Sequence, residues 1–199
     1  GEFWHRAFTV SADMELTRFN LSFGNNNEVT GGPCAVMRHA NARARGAKRV
    51  QSEPHLSVTG GTSAQWVPIK PKTDAACMFG LIHVMLHEHP RDRLDLACLR
   101  DMTSSPYLVG PNGYYLRDEA DGKPLLWDLR ANAAVPCDTA GAEPLLEGRV
   151  TVARAVEVGA DGQRWTHVNV EADTAFARLV AHMRQYSPEW AAPICEVPA

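Results

Sequence analysis

The residues best suited to bind a ligand stand at the ends of three short stretches that resemble strands. Gly24 and Asn26 follow the first stretch, Glu53 ends the second, and Thr73 and Asp74 follow the third. An acidic residue at a strand end commonly accepts hydrogen bonds from ribose in dinucleotide-binding folds. A carboxylate such as Asp74 can also accept from the amino group of a base. If the strands are parallel, these ends meet at one edge, and the pattern predicts a nucleotide-like ligand there.

Each of these positions also has a purely structural interpretation. The Asn-rich turn after Gly24 is typical of any tight turn. Glu53 can be a solvated charge, and Thr73 or Asp74 can cap the helix that follows. The sequence contains no glycine-rich dinucleotide fingerprint, no phosphate-binding Gly-x-x-x-x-Gly-Lys loop and no Gly-x-Ser-x-Gly motif. The prediction therefore depends on the three strand ends acting together.

Histidines and cysteines are the candidate metal ligands. His83 and His87 are spaced i, i+4, as zinc ligands can be, but no third ligand is evident and we predict a structural role. The five cysteines include no C-x-x-C pair, so we predict no metal-ligating residue in this chain. Cys77 and Cys98 lie in apolar helical stretches, which predicts buried and inert thiols.

The composition is that of an ordinary globular protein. The 199 residues are 45% hydrophobic and 22% charged, enough for one sizeable core or two small ones. A formal net charge of −3 argues against binding to nucleic acid. Pro, Gly, His or a charge interrupts every apolar stretch before it could span a bilayer, so direct membrane insertion is not expected.

Alternating strands and helices are predicted to position the ligand-binding residues. Strands over 18–23, 48–53 and 67–69 are joined by a helix over 33–45, with Val36, Met37, Ala40 and Ala44 as its inner stripe. A helix after Asp74 is apolar nearly all round and should pack on most faces. This order predicts an α/β fold, a Rossmann-like parallel sheet with flanking helices.

The second half of the sequence predicts a small antiparallel β excursion. Short strands are expected over 105–109, 114–117 and 125–128, a loop over 132–146, a hairpin over 149–170 and a helix over 174–186. Residues 4–15 show no clean period and are predicted as helix or coil. We divide the chain into a nucleotide-binding region (16–104), a β excursion with a loop (105–170), and a return helix followed by the start of a further element (171–199).

The third strand end carries a recognisable motif. The family of molybdopterin oxidoreductases typified by dimethyl sulfoxide reductase has a stretch of the form W-x-P-I-(R/K)-P-G-T-D-A-A before an apolar helix, and residues 66–76 resemble it. Residues 23–26, 47–54, 105–128 and 186–191 resemble further segments of the family in the same order, whereas 132–165 match nothing. We therefore expect an internal fragment of a large catalytic subunit.

The resemblance implies a bis(molybdopterin guanine dinucleotide) cofactor with molybdenum or tungsten, used for redox or oxygen-atom transfer of the kind found in anaerobic respiration. Gly24 and Asn26 would approach its phosphates, Glu53 its ribose and Asp74 its guanine, with Lys72 and Thr73 beside them. A 4Fe-4S cluster is expected in the full-length protein but not on this chain, together with the remaining domains and an iron–sulfur electron-transfer subunit. No catalytic residue, substrate or compartment is indicated.

Three positions depart from the family pattern. Lys72 replaces a glycine, for which we predict an ordinary backbone angle and an added cation near a phosphate. Glu53 replaces an aspartate, and His55 replaces an arginine. The alternative hypothesis is a non-catalytic α/β module that binds a nucleotide or another protein.

Overall fold

The computed structural model describes residues 13–198, and most of the segment predicted as helix or coil over 4–15 lies outside them. The chain forms two compact units. The first contains residues up to Gly80 together with those from Pro188 onward, and the second is Leu81–Ser187. The three-region division remains a prediction about function.

The elements alternate between strands and helices in the first third of the chain. In chain order, the strands are β1 (Phe19–Phe23), β2 (Lys48–Ser52), β3 (Gln65–Val67), β4 (Leu108–Val109), β5 (Leu116–Arg117), β6 (Leu125–Asp128), β7 (Ala133–Pro136), β8 (Arg149–Val158) and β9 (Arg164–Thr174). The helices are α1 (Asn27–Thr30), α2 (Gly32–Ala44), α3 (Val58–Thr62), α4 (Asp74–His83), α5 (Leu96–Asp101), α6 (Ala175–Met183) and α7 (Pro188–Cys195). A π-helical turn, Val84–Glu88, follows α4, and a 3-10 turn, Arg91–Arg93, precedes α5.

The first unit is built on a parallel sheet in the order β1-β2-β3. Phe23 lies opposite Ser52, and Ser52 opposite Val67, so the three strands end in register. Parallel strands need crossover connections, and α2 and α3 are part of the connections here. The predicted fold class, α/β with a parallel sheet, flanking helices and a separate antiparallel part, is confirmed.

The predicted inner stripe of α2 is wrong. Val36 and Met37 are 40% and 65% exposed, whereas the buried residues of the helix are His39 and Ala42. The helix turns a polar residue inward because His39 has an ionic partner, Glu28, at 2.9 Å. Hydrophobicity alone does not identify the packed face when a buried charge is satisfied by hydrogen bonds.

Helix α4 is less enclosed than its apolar sequence predicts. Its buried residues are Ala76 and Gly80, and a Cβ on Gly80 would lie 3.1 Å from Ala191 Cβ, which shows a close approach of α4 and α7. Met78 and Leu81 are 37% and 41% exposed. Packing on most faces is therefore wrong for this helix.

The short core of the first unit joins the two ends of its chain. Ile69, Ala76 and Cys195 form the buried cluster, with Cys77 and Val197 against it. Cys98, in contrast, is exposed, so its predicted burial is wrong.

The second unit is an antiparallel structure. Its four-stranded sheet has the order β4-β9-β8-β5, and β6 pairs with β7 separately. The predicted hairpin of β8 and β9 is confirmed, with β9 running four residues further than expected. Strand β7 lies within the predicted loop over 132–146, because the whole strand pairs with β6. The buried cluster consists of Leu108, Leu116, Leu125, Val152, Ala155 and Ala172.

A buried carboxylate organises one end of this sheet. Glu157 is fully buried and accepts hydrogen bonds from His167 Nε2 at 2.8 Å, Asn112 Nδ2 at 2.8 Å and Tyr114 N at 3.2 Å. These bonds fix the turn between β4 and β5. Within residues 13–198, no helix combines the length and the apolar character that crossing a membrane requires.

Candidate functional site

The carboxyl edge of the parallel sheet brings two of the predicted strand ends together. Gly24 N donates to Ser52 O at 2.9 Å, and Glu53 N donates to Val67 O at 3.1 Å. Gly24 has a φ of +59°, and a Cβ there would meet no atom within 4 Å, so the space beside it is open. The sheet therefore positions Gly24 and Glu53 side by side, one residue beyond the register of β1 and β2.

Glu53 directs its carboxylate into the protein. The residue is 5% exposed. Its Oε1 accepts from Ser57 N at 2.8 Å, and its Oε2 accepts from Gln51 Nε2 at 3.1 Å. A Cβ on Gly60 would overlap Oε1. Glu53 thus holds the start of α3, and only its remaining lone pairs are left for a ligand.

Asn26 lies in the loop between β1 and α1. Its Oδ1 accepts from Thr59 N at 3.3 Å and from Thr59 Oγ1 at 3.0 Å. The neighbouring Asn25 accepts at its carbonyl from Gln51 Nε2 at 3.1 Å. The loop after β1 is therefore anchored both to β2 and to α3.

The turn before α4 carries the remaining predicted residues. Lys72 has a φ of +71°, so the ordinary backbone angle predicted for it is wrong. It adopts the left-handed conformation that favours glycine because the turn must reverse the chain between Pro71 and α4. Thr73 precedes the helix, and its hydroxyl donates to Lys70 O at 2.7 Å. Asp74 is exposed, and its carboxylate has no hydrogen-bond or ion-pair partner in the described part of the chain.

The end of the chain braces this turn. Lys70 N donates to Cys195 O at 2.9 Å, and Lys70 Nζ pairs with Glu196 Oε1 at 2.7 Å. The thiol of Cys195 donates to Thr73 O at 3.5 Å. Burial, followed by the charges of Cys195 and Asp74, raises the pKa of the Cys77 thiol beside it. No pattern in the sequence predicts these contacts, because the partners lie more than 120 residues apart.

Two buried polar atoms at the end of β2 have no partner. Gln51 Oε1 and Ser52 Oγ make no hydrogen bond with any residue over 13–198, although Gln51 is fully buried and Ser52 is 2% exposed. An unsatisfied buried acceptor costs about 1–3 kcal/mol. Native structures tolerate such atoms where an additional group completes the hydrogen bonding. This observation, with the open space at Gly24 and the available Asp74 carboxylate, fits a polar ligand at this edge.

A buried ionic cluster stands behind the loop after β1. Glu28 Oε1 accepts from His39 Nδ1 at 2.9 Å and from Arg49 Nη1, and Oε2 accepts from Thr59 Oγ1. Burial raises the pKa of Glu28, but the hydrogen bonds from Thr59, Arg49 and His39 together with the Arg49 charge lower it to about 2. No local pattern singles out Glu28, since its partners lie up to 31 residues away.

The histidines of the second unit have the structural role predicted for them. His83 Nδ1 donates to Met183 O at 2.8 Å, and His87 Nε2 donates to Val180 O at 2.9 Å. Both carbonyls belong to the last turns of α6. No group of three His, Cys, Asp or Glu side chains in residues 13–198 is arranged to hold a metal ion.

A cavity of about 340 Å³ lies elsewhere in the first unit. It is lined by α2 and the starts of the strands, including Asn20, His39, Arg43 and Lys48. None of the six predicted site residues lines it. We therefore place the candidate site at the opposite, carboxyl edge of the sheet, where the unpartnered polar atoms are.

Comparison with known proteins now gives these contacts a family context. A sulfite dehydrogenase of Allochromatium vinosum is 26% identical in one of its subunits over 213 aligned positions, which cover the whole chain and 20% of that protein. Dimethyl sulfoxide reductase DmsA of Haemophilus influenzae is 37% identical over 112 positions, 52% of the chain and 14% of that protein. The thiosulfate reductase molybdopterin-containing subunit PhsA of Salmonella typhimurium is 30% identical over 83 positions, 42% of the chain and 11% of that protein. No protein-family model matches the chain.

The chain belongs to the molybdopterin oxidoreductase family.

This membership gives the departures from the family pattern a structural meaning. Lys72 stands where the family motif has glycine, and it keeps a backbone angle that glycine adopts without strain. The substitution therefore changes the side chain beside the site and leaves the path of the main chain intact. The longer side chain of Glu53 reaches Ser57 N and so bonds to α3. The chain spans a fifth or less of the length of these molybdopterin oxidoreductases.

Proposed function

We propose that this chain contributes the binding site for one guanine dinucleotide end of a bis(molybdopterin guanine dinucleotide) cofactor in a molybdenum- or tungsten-dependent oxidoreductase. The carrying observation is the carboxyl edge of the β1-β2-β3 sheet, where the free Asp74 carboxylate and the unpartnered Gln51 and Ser52 atoms occur in one unit. Such an edge is where open α/β sheets bind nucleotides. The sequence relatives supply the cofactor class.

The residues divide the ligand between them according to their chemistry. Asp74 would accept from the amino and ring N–H groups of guanine, because an exposed carboxylate without a partner is an acceptor only. Glu53 would meet the ribose through its remaining lone pairs, and Ser52 Oγ can donate or accept beside it. Gly24 and Asn26 would approach the phosphates.

Lys72 and Thr73 complete the proposed site. The Lys72 side chain is exposed, and its ammonium would offset phosphate charge, a contribution that the glycine of the family motif does not make. Thr73 fixes the turn through its bond to Lys70 O. When bound, the cofactor would supply the redox-active metal for oxygen-atom or electron transfer, and the protein would supply position and electrostatics.

The remaining parts of the proposed enzyme come from outside this chain. We propose that further domains of the same polypeptide ligate the metal and a 4Fe-4S cluster, and that an iron–sulfur subunit exchanges electrons with it. The relatives support this division, because two of them are named as subunits and one as the molybdopterin-containing subunit. Each of them extends well beyond the matched region.

The test is an Asp74→Ala substitution in the whole protein that carries this chain. Loss of a charge-assisted hydrogen bond should weaken cofactor retention by about 1.5–3 kcal/mol, a roughly 10- to 150-fold faster loss on dialysis. Molybdenum or tungsten is measured by elemental analysis, and the nucleotide released by acid is identified by chromatography. Asp101→Ala, which removes an exposed carboxylate at the end of α5, is the matched control and should retain the wild-type content.

Two results would overturn the proposal. One is wild-type protein that releases no GMP or releases a different nucleotide. The other is an Asp74→Ala variant that retains metal and guanine as the wild type does.

A further inference from the structure

We propose that Thr59 is a positioning residue for the candidate site, holding the Asn26 carboxamide so that its amide nitrogen is presented to a phosphate group of the ligand. The idea rests on the proposed function, since it concerns the same site. It adds a residue that lies outside the three strand ends.

Thr59 is almost completely buried and engages the acceptor half of Asn26 twice. It is 1% exposed. Its backbone N–H donates to Asn26 Oδ1 at 3.3 Å, and its hydroxyl lies 3.0 Å from the same oxygen. The backbone bond alone requires an acceptor at this position, so the carboxamide cannot turn over without losing it.

The donor half of Asn26 remains available. Its Nδ2 has no hydrogen-bond partner among residues 13–198, and the side chain is only half-buried. An amide with a satisfied oxygen and a free N–H₂ group is a donor toward its surroundings. Anions, and phosphate oxygens in particular, are the complementary acceptors.

Glu28 holds Thr59 in turn. Its Oε2 accepts from Thr59 Oγ1, and its backbone N–H donates to the same hydroxyl oxygen at 3.2 Å. The single hydroxyl hydrogen is therefore shared between Asn26 Oδ1 and Glu28 Oε2. Arg49 and His39 fix the other carboxylate oxygen. The chain of contacts runs from β2 and α2 through Glu28 and Thr59 to Asn26.

The main chain of the loop is held independently. Gln51 Nε2 bonds to Asn25 O, and Gly24 N bonds to Ser52 O. Both the backbone and the carboxamide of Asn26 are thus fixed before a ligand arrives. Such preorganisation strengthens binding, because the ordering of the donor is not required at the moment of association.

The first experiment separates the two halves of the carboxamide with Asn26→Asp. The aspartate keeps an oxygen for Thr59 and replaces the donor with a second, negatively charged acceptor. The whole protein is produced in cells that cannot make molybdopterin, and GDP and guanosine are titrated by calorimetry. We expect a tenfold or greater loss of affinity for GDP, little change for guanosine, and an unfolding temperature close to that of the wild type.

The second experiment tests Thr59 itself with Thr59→Val, and with Thr59→Ser as the matched control that keeps the hydroxyl. The valine should weaken GDP binding about threefold to tenfold while guanosine binding persists, and the serine should restore the wild-type affinity. In the double variant Asn26→Asp, Thr59→Val, the GDP affinity should equal that of Asn26→Asp alone, because Thr59 acts through Asn26.

The outcomes distinguish this inference from the proposed function. If wild-type protein binds GDP and loses it with Asp74→Ala, but Asn26→Asp has no effect or weakens guanosine equally, the positioning role is overturned and the proposed function stands. Additive losses in the double variant also overturn it. If Thr59→Val does not fold, Asn26→Asp and Thr59→Ser still decide the question. Wild-type protein that binds neither GDP nor guanosine and carries no guanine overturns both.

Discussion

Single residues at the candidate site combine a structural and a ligand-binding task. Glu53 is the clearest case, because its carboxylate holds the start of α3 while its main chain extends the sheet edge. Asp74 differs, since it is exposed and without a partner among the described residues. We therefore expect a substitution of Glu53 to disturb folding and ligand binding together, and one of Asp74 to disturb binding alone.

Lys72 gives a prediction about backbone strain. Its φ of +71° places a side chain in a region that costs about 1–2 kcal/mol for residues other than glycine. Lys72→Gly should raise the free energy of unfolding by roughly 0.5–1 kcal/mol, after the greater freedom of glycine in the unfolded chain is subtracted. Urea denaturation of the whole protein measures it.

Lys72→Ala is the matched control, because it removes the same charge and keeps the Cβ. It should leave the free energy of unfolding near the wild-type value. Equal stabilisation by glycine and alanine would show that the charge, and not the backbone angle, is responsible.

At the scale of elements, buried carboxylates decide how neighbouring segments pack. Glu157 fixes the turn between β4 and β5 from its position on β8, where β5 pairs with that strand. Gly110 in this turn has no room for a side chain. A Cβ there would overlap Glu157 Cδ and lie 2.7 Å from Leu116 Cδ2, both parts of fully buried residues.

Gly110→Ala should therefore destabilise the protein by about 1–3 kcal/mol through overpacking. Thermal unfolding followed by circular dichroism measures the loss. Gly61→Ala is the control, because a Cβ at this helical glycine meets no atom within 4 Å. It should be neutral or stabilising by up to about 1 kcal/mol, and an equal loss in both variants would contradict the steric explanation.

At the scale of the whole molecule, the acid response should follow the ionic cluster of Glu28. The cluster joins α1, α2, β2 and α3 through His39, Arg49 and Thr59. The pKa of Glu28 falls from 4.5 to about 2 in the folded protein. Because the folded pKa is lowered, the stabilisation is fully present above pH 4.5 and is lost as the pH falls toward 2.

Glu28 should thus contribute about 2–3 kcal/mol to stability at neutral pH, and Glu28→Gln should remove most of the decline in unfolding free energy between about pH 5 and pH 2. Denaturant titrations across this range measure it. Glu15→Gln, an exposed residue of the same unit, should leave the decline unchanged. A decline that persists in Glu28→Gln would show that other carboxylates dominate.

The sequence by itself determined the features that depend on local pattern. Alternation and turn residues predicted β1, β2 and the β8–β9 hairpin, and the order of elements predicted the parallel sheet whose edge collects Gly24 and Glu53. The motif around Asp74 predicted the family. These signals lie within a few residues of one another, so a single stretch of chain carries them.

Only the tertiary structure decided which side chains those elements engage. Glu28 and Thr59 meet across 31 residues, and Lys70 meets Glu196 across 126. The buried face of α2 follows His39 because of Glu28, against the helix's own apolar pattern. The left-handed angle at Lys72 follows from the turn that the chain must make before α4. In each case the deciding partner is distant in sequence, or the backbone constraint outweighs the preference of the residue, and neither is written in the local pattern.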